Sequence, residues 1–510
     1  MNTKDLIKRA EKAQQRKRPW LSIWEDCIDF AQPMRDSFMN TDSPGSERMD
    51  KIYDETPVLA NQEFVSLMQD GMMPSDSKFF DFAFVIPNAD RRLQSQLSEV
   101  ADYVYYTMRN GGIDNVASEV FYDIAIGTGS ISVSESMDTT NSSVKFETVP
   151  LQEYSIDQGP FGGPDGRFRR HSMTLDEAKV RWQDAKISKE MMEKASNNPD
   201  LKFKFIECVY RDWTQMEEVW LYKVISLEDK SCIIEREDKG SGAEPIATGR
   251  WSKAGREFYG RGPLINALPA IRSLNLTYEL LFEAGEMNIG GIWQYESNGI
   301  VNTDNINLVP GTLIPVEPGT KGLSAIQNPG RFDLSQIILR DQQEKVKRAL
   351  YNQDFGPTTQ TPRSATEIAE RSASLNRLIG ASRHRIQTEL INKIVMRTVY
   401  LLKKQGKIDL PAVDGKELRI VPVSPMARFS KRGEIQAMQE FQGQLQMMFG
   451  PQVAMMVNKV PETVHKLAKY NDYPIELINS EDEIKQTLNN IMQAAQQQQA
   501  MGADVEGMIQ

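Results

Sequence analysis

Cysteine is scarce: Cys27, Cys208 and Cys232 lie far apart and form no CxxC pair. That excludes a disulfide framework and a zinc site of the usual spacing, and leaves buried free thiols. Histidine is equally rare. His171, His384 and His465 fall in no HExxH or CxxC…H pattern, so each reads as structural. No GxxxxGK[ST] loop occurs, which removes the phosphate cradle of a nucleotide-driven motor. Gly127-Thr128-Gly129 and Gly260-Arg261-Gly262 lack the third glycine of a dinucleotide fingerprint and read as turns. No stretch approaches the roughly 18 consecutive apolar residues of a membrane span. The start, Met1-Asn2-Thr3-Lys4-Asp5-Leu6, has no signal-peptide core, so a cytosol-like compartment is expected.

A basic surplus is missing too. Lys and Arg total 60 against 70 Asp and Glu, a formal charge of −10. A dedicated duplex binder must neutralise phosphates, so any nucleic-acid contact here has to be local or weak. Carboxylate pairs such as Asp36/Asp42 and Glu217/Glu218 are expected by chance at this acidic content and carry no weight without geometry. Motor, nuclease and protease chemistry are therefore disfavoured. The chain reads as a structural or interaction protein with no catalytic residues, no metal and no cofactor.

At 510 residues the chain suggests about three domains. Trp20, Ile23, Trp24, Cys27, Phe30 and Ala31 recur at helical spacing. The basic stretch before them (Lys4, Lys8, Arg9, Lys12, Arg16, Lys17, Arg18) is either a solvated helix face or a binding surface. A helix over 57–72 ends at Gly71 and Pro74, and 91–126 is helical again. The period then shifts toward two at Ile131, Val133, Val144, Phe146 and Val149, at 203–210, at 219–225 and at 232–234. A helical insert over 174–195 interrupts these strands, giving a mixed α/β body that ends near Gly262.

Leu264, Leu268, Ile271, Leu274, Tyr278 and Leu281 form one stripe of a helix that starts or kinks at Pro269 and stops by Gly290. Residues 291–332, rich in Pro and Gly with short apolar runs, read as a small β-rich lobe, and 334–351 as a returning helix. A polar loop follows: Asn352, Gln353, Asp354, Phe355, Gly356, Pro357, Thr358, Thr359, Gln360, Thr361 and Pro362. Ser364 and Glu367 have the spacing of a capping box, hydroxyl to the third amide and carboxylate back. The helix they open runs toward Gln405, roughly 60 Å at 1.5 Å per residue, with a bend expected at Gly380. A strand over 417–423 and a helical, methionine-rich, acidic-polar end complete the chain.

Several stretches resemble one family, the portal or head-to-tail connector proteins of short-tailed, podovirus-type double-stranded DNA bacteriophages. They are Arg18-Pro19-Trp20-Leu21-Ser22-Ile23-Trp24 on to Pro33; Ile52-Tyr53-Asp54-Glu55-Thr56-Pro57; and Gly71-Met72-Met73-Pro74-Ser75-Asp76-Ser77-Lys78-Phe79-Phe80. Tyr259-Gly260-Arg261-Gly262-Pro263-Leu264, running into Leu268 to Asn275, and Arg363-Ser364-Ala365-Thr366-Glu367-Ile368-Ala369-Glu370-Arg371 continue the match. Ser364 stands where many relatives carry threonine. The likeness covers roughly 15–425, and the C-terminal eighty residues match only in composition.

The resemblance implies an α+β portal fold: N-terminal helices and an α/β wing over 1–262, a first stem helix over 263–290 and a clip over 291–332. A second stem helix over 333–351, a tunnel loop over 352–363, a long wing helix and strand over 364–425 and a helical crown and tail over 426–510 follow. It implies a ring, usually of twelve subunits, at one capsid vertex in the virion, assembled in the host cytoplasm. The ring would be a conduit for genome packaging and ejection and a docking platform. Implied partners are other copies of the chain, passing double-stranded DNA, the terminase large subunit that hydrolyses ATP, major capsid protein and scaffold, tail adaptor or nozzle proteins, and internal core or ejection proteins. No membrane is involved. Another virion assembly protein, an adaptor or internal core protein, is the alternative; an enzyme of nucleic-acid metabolism has only size and mixed fold behind it.

Every lysine in a ring is repeated around the channel, so a uniformly basic lining would trap DNA, and sparse basic rings on an acidic protein let it slide. Arg340, Lys345, Lys347 and Arg348 either supply such rings or pair at i,i+4 with Asp341 and Glu344. Deleting Phe355 to Thr361 is expected to leave ring assembly intact in electron micrographs while impairing packaging or retention of DNA. Loss of the ring instead makes the loop an interface element.

Overall fold

The computed structural model describes residues 2–35, 37–38, 49–84, 91–136, 141–290, 293–294, 324–325, 332–352, 377–409, 418–425, 435, 437–450, 463 and 467. The chain divides into two units. The first comprises Met1–Ser75, Phe82–Pro362 and Ile379–Ile420; the second comprises Asp76–Asp81, Arg363–Leu378 and Val421–Gln510. In the second, the Val423 amide donates to the Phe79 carbonyl over 3.0 Å. Its helical residues 437–450 leave Phe441, Met447, Met448 and Phe449 exposed.

The first unit opens with α1 (Thr3–Ala31), a single 29-residue helix that carries Pro19 in its interior. Helix α2 (Thr56–Met72) carries Pro57 in its first turn, where a missing N–H costs nothing. Strand β1 (Phe80–Phe84) and helices α3 (Arg91–Asn110) and α4 (Ile113–Ile126) follow. Strands β2 (Thr128–Glu135) and β3 (Val144–Thr148) belong to a three-stranded antiparallel sheet ordered β3-β2-β9.

The second sheet is a five-stranded antiparallel meander. Its strands run in order β4 (Tyr154–Gln158), β5 (Pro164–Met173), β6 (Phe203–Asp212), β7 (Val219–Ser226) and β8 (Cys232–Lys239). The expected helical insert between β5 and β6 is two short helices, α5 (Leu175–Arg181) and α6 (Lys189–Asn197). Thr174 and Glu177 cap α5 reciprocally, and the Ser188 hydroxyl accepts from the Met191 amide at the start of α6.

Strand alternation gives this sheet two buried faces. Phe168, Ile206, Cys208, Tyr210 and Ile225 pack under Leu6, Ile7, Ala10 and Ala13 of α1. Phe203, Phe205, Val224, Ile233 and Ile234 pack under Leu175, Ala178, Trp182 and Met191 of α5 and α6. Part of the basic stretch of α1 is therefore internal. Lys17 is buried and donates to the carbonyls of Leu151 and Gln152, both at 2.6 Å, and burial pulls its amine down to about 7.

Strand β9 (Ile246–Arg250) completes the first sheet through Ile131 opposite Ala247. Beyond it come α7 (Pro263–Gly290), the antiparallel pair β10 (Trp293–Gln294) and β11 (Ser324–Ala325), and α8 (Phe332–Ala349). A helical stretch from residue 377 passes through a π-helical turn at Gln387–Ile391 into α9 (Asn392–Lys404), and β12 is Leu418–Pro422. Gly380 lies inside that helix, and the irregularity observed there is the π turn. Helix α7 begins at Pro263, so Pro269 is internal to it.

A charged lattice lies on the α5 face of the larger sheet. Arg169 contacts Glu147 at 2.9 Å and Glu153 at 2.8 Å; Arg181 contacts Glu147 at 2.8 Å and Glu207 at 3.2 Å. Burial opposes ionisation of Glu147, but the hydrogen bond from Arg181 and the charge of Arg169 outweigh it and hold the carboxyl at about 2. His171 lies 3.3 Å from Glu207. Arg181 already serves that carboxylate, and burial, with Arg169 and Arg181 nearby, pulls the imidazole down to about 4.

A histidine whose folded value lies below its unfolded one binds fewer protons when folded, so its contribution is present above about 6.5 and is lost as pH falls toward 4. Buried Asp123, pushed up to about 6 by burial against the pull of Arg35, works in the opposite direction over an overlapping range. The comparison with His171→Gln isolates the imidazole. Wild-type stability is expected to fall between pH 6.5 and 4 by up to about 3 kcal/mol more than that of the variant, measured as urea midpoints across pH. Parallel curves would show that His171 is not held neutral.

Candidate functional site

The helical hairpin of α7 and α8 is the feature the sequence singles out, and its root is built from glycine. Gly127, in a positive-φ conformation, ends α4 against Gly260, and Gly262 lies against Ala125 and Ile126 so closely that a Cβ on any of the three would strike backbone. The Gly262 amide donates to the Ile126 carbonyl at 2.8 Å, the Trp251 amide to the Gly127 carbonyl at 2.9 Å, and the Gly260 amide to Thr128 Oγ1 at 2.8 Å. Two fragments that read as independent turns are one crossing point.

From that root α7 is pinned by an ion pair between Arg272 and Asp26. Asn275 accepts from the Tyr53 amide at 2.8 Å and donates to the Lys51 carbonyl at 2.8 Å. Helix α8 returns antiparallel, with Gln342 Nε2 on Ser273 Oγ at 2.9 Å and Gln343 Nε2 on Asp54 Oδ2 at 2.8 Å. Away from the root the hairpin exposes apolar side chains: Leu276, Leu280 and Phe282 on α7 and Ile337 and Ile338 on α8, with Ile337 67% accessible.

The four basic residues proposed from sequence sit along α8. Arg340, Lys345 and Arg348 are exposed. Lys345 pairs with Asp341, and Arg348 with Glu344 at 3.3 Å, each acid four residues before its base, the favourable order for a helix. Lys347 lines a cleft of about 660 Å³ together with Asp54, Glu55, Glu63, Tyr278 and Gln343. The sequence named Asp54 only within the Ile52–Pro57 match and singled out neither Glu63 nor this cleft.

Helix α8 ends in a Schellman motif. Tyr351 takes the left-handed conformation, φ 62°, its amide bonded to the Arg348 carbonyl at 3.1 Å, and the Asn352 amide bonds to the Lys347 carbonyl at 2.9 Å. Glycine is the usual residue there. Tyr351 is instead held by aromatic neighbours, Trp251 at 5.8 Å and Phe64 at 6.3 Å between ring centroids. Asn352 then donates to the Ala60 carbonyl at 2.9 Å and to Glu63 Oε2 at 2.7 Å, anchoring the start of the expected loop on α2. Gln353, Asp354, Phe355, Gly356, Thr358, Thr359, Gln360, Thr361 and the Ser364/Glu367 cap lie outside the described residues, as does most of 291–332. Among the described residues, no group of three or more His, Cys, Asp or Glu is placed to hold a metal.

A rooted hairpin with exposed apolar flanks is the equipment of an assembling structural component. The chain belongs to the family described as Bacteriophage head to tail connecting protein, which it matches over residues 3–478. It is 21% identical over 483 residues to a "Probable portal protein" of Bordetella phage BPP-1, covering 86% of this chain and 82% of that protein. Looser likenesses link it to two solved particles. A chain of "Neck of empty GTA particle computed with C6 symmetry" shares 12% identity at TM-score 0.36, covering 76% of this chain and 85% of that one. A chain of "Virion of native gene transfer agent (GTA) particle" shares 11% identity at TM-score 0.35, covering 76% and 93%.

Tyr351 tests the motif that launches the loop. Alanine there keeps the left-handed strain and loses the ring, whereas glycine loses the ring and relieves the strain. Tyr351→Gly is therefore expected to be more stable than Tyr351→Ala by roughly 1 kcal/mol in thermal melts, the reverse of their order in a helix interior. Alanine proving the more stable would show that residue 351 is not left-handed.

Proposed function

We propose that copies of this chain close into a portal ring, usually of twelve, at one vertex of the capsid, where double-stranded DNA passes during packaging and ejection. In this reading the mixed body is the wing, α7 and α8 are the stem lining the channel, 291–332 is the clip, 352–363 the tunnel loop, and 426–510 the crown. The terminase large subunit docks first and supplies ATP hydrolysis; tail adaptor or nozzle proteins replace it. Capsid protein, scaffold and internal core or ejection proteins surround the ring, and the chain itself performs no catalysis.

The observation that carries the reading is the apolar exposure on both helices of the hairpin. Leu276, Leu280, Ile337 and Ile338, each about half exposed, would each contribute roughly half of the 1.5–3 kcal/mol that full burial of such a side chain gives, and a patch of that kind marks an interface. A ring needs two different faces per copy, because a head-to-tail contact closes by rotation. We assign α7 of one copy against α8 of the next. The base pattern of α8 suits the channel side: Arg340, Lys345, Lys347 and Arg348 are the candidate sparse rings, and the acids that pair with Lys345 and Arg348 along the helix weaken their hold on DNA, so that it is guided without being arrested.

Leu280→Asp spoils one face and Ile337→Asp the other. Each variant alone is expected to abolish rings in electron micrographs while keeping its circular dichroism. An equimolar mixture has one intact pair of faces and is expected to stop at dimers in native mass spectrometry. Rings persisting in either folded variant would overturn this assignment, and a wild-type protein that stays monomeric under all conditions would overturn the portal reading.

A further inference from the structure

We propose that the N-terminal half of α1 is a docking stripe for the sugar-phosphate backbone of double-stranded DNA outside the channel. Lys4, Lys8 and Lys12 are exposed and recur every four residues, with Arg16 continuing the series. They lie on the side of α1 opposite Leu6 and Ala10, which are buried against the five-stranded sheet, so the stripe projects away from the body. From Lys4 to Arg16 the helix rises about 18 Å, the axial length over which one DNA strand presents about five phosphates.

Two local choices here are unfavourable unless something binds. Like charges four apart on a helix repel by a few tenths of a kcal/mol per pair. Bases in the first turns also oppose the helix dipole, which favours acids there. Arg9 and Arg16 are drawn to Asp157, at 2.6 and 2.7 Å, lining with Lys8 and Lys12 a groove of about 370 Å³. Asp5 and Glu11 lie within a turn of the lysines, yet among the described residues Lys4, Lys8 and Lys12 make no ion pair.

A protein partner fits this face poorly. Interface cores are depleted in lysine and built on aromatic and apolar anchors, and among the described residues α1 exposes no large apolar side chain. A regular polyanion needs no such anchor. The choice of duplex DNA as that polyanion rests on the function proposed above, and the stripe would hold genome against the body where the channel does not reach.

The test uses covalently closed circular DNA, which cannot thread a ring, with full-length assembled protein at roughly 50 to 200 mM salt. Wild-type rings are expected to bind closed circles with a log–log salt slope near −3, about 0.9 for each phosphate contact. Lys4→Gln/Lys8→Gln/Lys12→Gln is expected to bind them roughly 10- to 100-fold more weakly with the slope abolished, while ring formation stays unchanged. Equal binding of circles by the triple variant, or tighter binding of double-stranded RNA or poly-glutamate of matched charge, overturns the proposal. Loss of the ring in wild-type protein with circle binding retained would instead count against the channel reading and leave the stripe standing.

Discussion

The position of the hairpin depends on a place where two backbones pass with no side chain between them. Gly127 closes α4, Gly260 and Gly262 open the approach to α7, and three hydrogen bonds tie the segments together. Backbone groups buried this deeply must find partners, and at this crossing they find one another. Because the tie is made by main chain and the Thr128 hydroxyl, it sets the direction of α7 before any side chain of the hairpin is placed. Pro263 then starts the helix with its φ already helical, and Arg272 and Asn275 secure the next two turns against α1 and the segment before α2.

Around this root the body is held by buried charge. Arg167 and Glu244 form a buried pair, Arg250 grips Glu389 through two hydrogen bonds of 3.0 and 2.8 Å, and Arg397 meets Asp238 at 2.8 Å. Desolvation consumes much of what such pairs gain, so their value lies in selecting one arrangement. Arg250 sits on β9 and Glu389 in the π turn before α9, and Gly249 lets Leu390 approach the strand. Apolar packing alone would tolerate a shift of that helix along the sheet; a two-bond guanidinium–carboxylate contact does not.

The helices Pro263–Gly290 and Phe332–Ala349 were legible because apolar residues there keep a 3.6-residue period and the prolines and glycines cluster between them. The helical insert between strands was legible for the same reason, although Thr174 with Glu177 and the Ser188 cap, which divide it in two, went unread. Strand β5 was not legible. Its run of Arg167, Phe168, Arg169, Arg170 and His171 has one apolar residue, and its polar side chains are buried only because Glu244, Glu147, Glu153 and Glu207 come from elsewhere in the fold. Hydrophobic alternation cannot report a strand whose inward positions are ion pairs. The Schellman end at Tyr351 escaped for a similar reason: tyrosine there signals nothing until Phe64 and Trp251 are seen to hold it.

Two helices of this chain carry lysine and arginine at similar density, and they differ in where the acids stand. In α8 each of two bases follows an acid by one turn, Asp341 to Lys345 and Glu344 to Arg348, so the helix supplies its own counter-ions and its field falls off quickly. In α1 Lys4, Lys8, Lys12 and Arg16 succeed one another at four-residue spacing, and Asp157 of β4 pairs with Arg9 and Arg16. A moving polyanion is served by the first arrangement, because a charge already satisfied binds it weakly at any one point. A stationary one is served by the second, because unpaired ammonium groups in a row release counter-ions together when a phosphate backbone lies along them. In the proposed reading, the net charge of −10 is a background of repulsion against which two local, opposite uses of the same residue types would be set.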